Sequence, residues 1–195
     1  MGRRHRGRYG GSPEDFWGAL WGVWFAPRGF FAGLDPDAGF VRPTIFVSLV
    51  LYLNLVLEAA LQAAWVRDLN VGLLYALFLG LVVSLVLAPL LVSGLTVLVQ
   101  VIHTGGPSRH GFRPLYRHLA YAGGIGIALW LPFGPILAIP YGLLVATKAV
   151  RSALNTDWRR AAAAALIPLG AVLLILLLLT GPSEAYDLLV NTPGS

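Results

Sequence analysis

No cysteine occurs in the 195 residues, which excludes disulfides, thiolate metal ligation and lipid attachment through sulfur. Charge is scarce too: 12% of residues are Asp, Glu, Lys or Arg and 57% are hydrophobic, against ~25% charged in soluble domains. Between Val71 and Ile102 there is no Asp, Glu, Lys, Arg or His at all. At ~1.5 Å of helical rise per residue that run reaches roughly 48 Å, past a hydrocarbon core of about 30 Å. A deficit spread along the whole chain calls for several membrane spans and leaves no length for a separate soluble domain. The formal charge of +5 therefore matters through its distribution along the loops, and nucleic acid is not an expected partner.

What is present then sets the layout. Arg3, Arg4, Arg6 and Arg8 are followed by Gly10, Gly11, Ser12, Pro13, Glu14 and Asp15 instead of an apolar core, so a retained N-terminus is expected. Residues 1–13 read as a basic, Gly-rich disordered tail. Ser12 suits an N-cap, Pro13 the first helical position and Asp15 the capping acid. Trp17, Leu20, Trp21 and Trp24 then recur at i, i+3, i+4 and i+7, which predicts an interfacial amphipathic helix within 14–43 that stops before Pro27, with a face packed on the bundle as the alternative.

The fold class is all-α, a polytopic membrane helix bundle. Its transmembrane domain is expected over 44–181 as five transmembrane helices, about 44–66, 73–102, 114–131, 136–148 and 160–180. The second is one long helix, tilted or kinked at Pro89. The third and fourth are short and rich in glycine and proline, so a re-entrant hairpin is the alternative to two full crossings. Residues 182–195 form a short acidic tail with Glu184 and Asp187. In this layout every Lys and Arg except Arg67 falls on one side, which predicts a cytoplasmic N-terminus and an outside C-terminus in a cytoplasmic membrane.

Few residues could carry chemistry. Asn54, Glu58 and Gln62 make a polar stripe at i, i+4 and i+8 on the first span, and Glu58 is the single carboxylate within any expected span. A charge at mid-bilayer costs ~2.5–3.5 kcal/mol or more, so the stripe is either an ion path or interhelical hydrogen-bonding glue, and a lone carboxylate favours glue. His110, Arg113, Arg117 and His118 suggest a basic strip for anionic headgroups. No HExxH pair, serine triad, P-loop or dinucleotide fingerprint is formed, so no enzyme, metal or cofactor is expected. Ala120, Gly124 and Ala128 form a small-residue face for close helix packing.

Several short motifs resemble the Yip (Ypt-interacting protein) family, notably its compact bacterial members. They are Trp24-Phe25-Ala26-Pro27-Arg28-Gly29-Phe30-Phe31, Gly105-Gly106, Tyr116-Arg117-His118-Leu119-Ala120-Tyr121-Ala122-Gly123 and Leu131-Pro132-Phe133-Gly134-Pro135. The Asp-Leu-Tyr-Gly-Pro segment of the eukaryotic members is not found before the first span, which argues against a Rab-GTPase or trafficking role. The resemblance implies a bundle that binds other membrane proteins or lipids and implies no catalytic residue; a second copy of the chain, as a homo-oligomer, is a further candidate partner. The expected partner face is Trp17, Trp21, Trp24, Phe30, Phe31, Arg113, Arg117 and Tyr121. The competing expectation is a small transporter or channel subunit with its path at Asn54, Glu58 and Gln62.

Overall fold

The computed structural model of the chain describes residues 15–35, 39–66, 71–104, 109–131 and 133–168. Its elements are α1 (Phe16–Phe25), α2 (Pro27–Ala32), α3 (Val41–Val66), α4 (Val71–Thr104), α5 (Arg109–Ala122), a 3₁₀ segment (Gly123–Ala128) and α6 (Gly134–Leu154). A further helix covers 158–168. Among the described residues the fold is all-α, and three helices are long and apolar enough to cross a membrane: Val41–Leu61, Leu73–His103 and Gly134–Leu154. The expected third span, 114–131, is not among these three. The expected fifth, 160–180, lies mostly outside the described residues, as do the tails 1–13 and 182–195.

The helix boundaries follow local chemistry. α1 starts at Phe16, and its N-cap is Asp15, whose carboxylate accepts from the Gly18 N–H. The capping role assigned to Ser12 and Pro13 thus passes to Asp15; Ser12 and Pro13 themselves lie outside the described residues. α1 stops before Pro27 as expected, but Pro27 then takes the first position of a new helix, where its missing N–H costs nothing. The two helices fold back closely, and a Cβ on Gly22 would lie 2.5 Å from Cδ2 of Phe30. α4 runs as a single helix through Pro89, so the long apolar run is one element. α6 continues to Leu154, beyond the expected end at 148, and closes on Asn155 in the left-handed conformation at φ 50°.

α5 and the 3₁₀ segment run alongside α3 in the same direction: Tyr116 meets Thr44, Gly123 faces Val47 and Asn54 donates to the Gly126 carbonyl. The glycines at 123, 124 and 126 loosen the α-helix into the tighter 3₁₀ form. Carbonyls of this segment also accept from outside it: Gly126 from Asn54 as well as from the Leu129 N–H, and Gly124 from the Trp24 indole N–H at 3.2 Å. The chain then reverses into α6. A Cβ on Gly134 would sit 1.8 Å from the Ala128 carbonyl oxygen, so this turn admits only glycine.

Two apolar clusters meet on α5. One gathers Val23, Phe30, Phe31, Phe46, Val50, Tyr121, Ile125 and Val145; the other gathers Val47, Ala88, Val99, Leu115, Leu119, Ala120, Val150, Ala161 and Ala164. Every residue from Leu115 to Ala122 is buried. Of the expected small-residue face, Ala120 is fully buried and a Cβ on Gly124 would lie 2.8 Å from the Phe46 ring, while Ala128 is only partly buried at the end of the 3₁₀ segment. α4 is the opposite case, with Phe78, Val82, Val86 and Leu90 all exposed.

Candidate functional site

Arg117 and His118 of α5 turn inward. Arg117 Nη1 donates to the Asp35 carbonyl just beyond α2, and its side chain is 3% exposed. His118 stacks on Phe31 with ring centroids 5.6 Å apart. Its Nδ1 lies 2.6 Å from the Pro114 carbonyl and its Nε2 lies 3.3 Å from the Phe31 carbonyl. A neutral imidazole has one N–H, so only the protonated ring can donate to both oxygens. Ser152 Oγ on α6 donates to the same Phe31 carbonyl at 3.2 Å, so one backbone oxygen ties α2 to both α5 and α6.

The predicted headgroup strip is therefore corrected. Arg117 and His118 lie in the interior because backbone carbonyls of the α2 region supply their acceptors. Arg113 is exposed, with its guanidinium 5.7 Å from the Phe40 ring centroid; the side chain of His110 lies outside the described residues. Phe40 also meets Tyr116 edge-on at 5.3 Å, and the Tyr116 hydroxyl is 2.8 Å from Thr44 Oγ1. Phe40, Thr44 and Ser152 escaped sequence reading because their partners lie far along the chain. No spacing rule links them.

The expected partner face divides in two. Phe30, Phe31 and Tyr121 are buried, with Phe30 edge-on to Tyr121 at 5.3 Å, so these rings hold the fold together. Trp24 is half-buried, donates to Gly124, and accepts at its own carbonyl from the Tyr141 hydroxyl. Trp17 and Trp21 are 71% and 65% exposed. Phe25 joins them at 66% and packs on Trp21 with centroids 4.2 Å apart. The i, i+4, i+8 spacing of Trp17, Trp21 and Phe25 was the available signal for this column. The opposite side of α1, at Ala19, Gly22 and Val23, is buried.

The polar stripe of α3 divides as well. Asn54 is buried and spent on Gly126, as interhelical glue. Glu58 lies on an open groove between α3 and α4 with Leu55, Ala59, Tyr75, Leu79 and Gly80. The side chain of Gln62 lies outside the described residues. Among the described residues, no three His, Asp or Glu side chains gather as a metal site.

A family model described as the Yip1 domain matches residues 21–180. No match is found among curated proteins or among solved structures.

Proposed function

This chain belongs to the Yip1-domain family, and we propose that it acts by binding, as a membrane scaffold without catalysis. Membership and the apolar helices make it an integral membrane protein. The observation that carries the binding role is α1. Its buried face and the Trp24 and Tyr141 hydrogen bonds mount it on the bundle, while Trp17, Trp21 and Phe25 face outward. A firmly mounted aromatic patch is what interfaces with membrane proteins and lipids use.

The same proposal puts the N-terminus in the cytoplasm, the C-terminus outside and the basic loops on the cytoplasmic side. It treats α5, the 3₁₀ segment and α6 as a re-entrant hairpin. The run of α5 and the 3₁₀ segment along α3, followed by the reversal into α6, supports a hairpin that enters and leaves on one side. Photo-crosslinking from positions 17 and 21 in native membranes tests the binding role. The same protein adduct should form from both positions and be absent from position 86 on α4. Adducts to bulk lipid alone would overturn it.

A further inference from the structure

A pocket of 230 Å³ opens between α1 and the start of α3, lined by Asp15, Arg42, Ile45, Phe46, Leu49 and Tyr121 among others. Its two ends differ in character. Asp15 and Arg42 supply opposite charges, and no ion pair joins them among the described residues. Arg42, Ile45, Phe46 and Leu49 stand at i, i+3, i+4 and i+7, one face of α3. Leu49 thus lies ~10 Å along the helix from Arg42. Arg42 is at the beginning of the candidate span Val41–Leu61, so the charged end is at the interface and the apolar end runs into the bilayer.

We infer that this pocket is a lipid site for a phosphatidylethanolamine-type headgroup, with phosphate on Arg42 and the primary ammonium on Asp15. An anionic lipid would leave Asp15 beside a phosphate with nothing between them. A choline headgroup has no N–H to give a carboxylate, whereas an ethanolammonium has three. The volume is below the ~300–1,000 Å³ of drug-sized sites and suits a headgroup whose chains leave along Ile45 and Leu49. The inference goes beyond the binding role proposed above, because none of Trp17, Trp21 and Phe25 lines this pocket.

The test is native mass spectrometry of the full chain released from phosphatidylcholine nanodiscs doped equally with phosphatidylethanolamine and phosphatidylglycerol. The ethanolamine lipid should be retained in preference to the other two. Arg42→Gln should cut its retention about tenfold, as expected for loss of a charge-assisted contact. Asp15→Asn keeps a side-chain cap for α1, and it should shift the ratio toward phosphatidylglycerol about tenfold. Equal retention of the three lipids by the unaltered chain, or an unchanged ratio in Asp15→Asn, overturns the assignment. Free phosphoethanolamine added in excess should not displace the lipid; displacement would mean the apolar end contributes nothing, and that too overturns it. Crosslinks from position 21 in the same variants separate the two ideas. If they persist while lipid selectivity fails, the pocket assignment falls and the scaffold role stands.

Discussion

α4 and α5 are neighbours in the bundle and opposites in composition. α4 turns an apolar face outward, with Phe78, Val82, Val86 and Leu90 exposed along it, and keeps Ser84, Thr96 and Gln100 buried. α5 carries Arg113, Arg117 and His118, yet from Leu115 to Ala122 it is enclosed on every face. In water this ordering would be inverted. In a bilayer the apolar helix meets lipid, which is as apolar as leucine, and the polar helix is sheltered where protein carbonyls stand against Arg117 Nη1 and the His118 ring. The longest apolar helix therefore marks the periphery of this fold, and one of the least hydrophobic marks its centre.

That contrast can be broken by mutation, with the largest effect at the hairpin that keeps α5 inside. Gly134→Ala puts a methyl group against the Ala128 backbone, so the turn cannot close. Its expected result is loss of the monodisperse, folded protein in detergent, read by size-exclusion chromatography. A step smaller is Leu115→Ala on α5, where the side chain is 0% exposed. It should cost ~2–5 kcal/mol, toward the lower end because lipid supplies no hydrophobic drive, as a fall in unfolding midpoint. Leu90→Ala on α4, 64% exposed in the wild-type chain, should move that midpoint by the equivalent of less than ~0.5 kcal/mol. Equal losses at Leu115 and Leu90 would erase the distinction between the two helices. Glu58→Gln, on the open groove beside α4, should leave ion flux in reconstituted vesicles unchanged. A Glu58-dependent flux would instead favour a transporter.

The two helices were not equally legible in the sequence. α4 announced itself through an absence of charge, and its passage through Pro89 as a single element follows from length alone. The stop before Pro27 was equally plain, since proline cannot continue the hydrogen-bond ladder. α5 was harder, because hydropathy cannot tell a helix facing headgroups from one facing protein carbonyls. Arg117 finds its acceptor in the backbone of Asp35 and His118 in that of Phe31, and main-chain oxygens leave no trace in residue identity. The spacing of the tryptophans of α1 predicts one face, yet close packing at Gly22 and Val23 rolls the helix so that Trp24 points inward and Phe25 outward. The glue role of Asn54 was legible because a buried amide in an apolar helix must find a partner.

The missing cysteines make the decisive measurement a clean one, because any introduced thiol is the only one to label. Spin labels at positions 82, 86 and 90 of α4 and at 115, 119 and 122 of α5, in separate variants in liposomes, report collisions with lipid-soluble oxygen and with a water-soluble nickel chelate. The α4 positions should show high oxygen accessibility. The α5 positions should be shielded from both reagents. An α5 face with oxygen accessibility equal to that of α4 would contradict a polar helix held at the centre of the bundle.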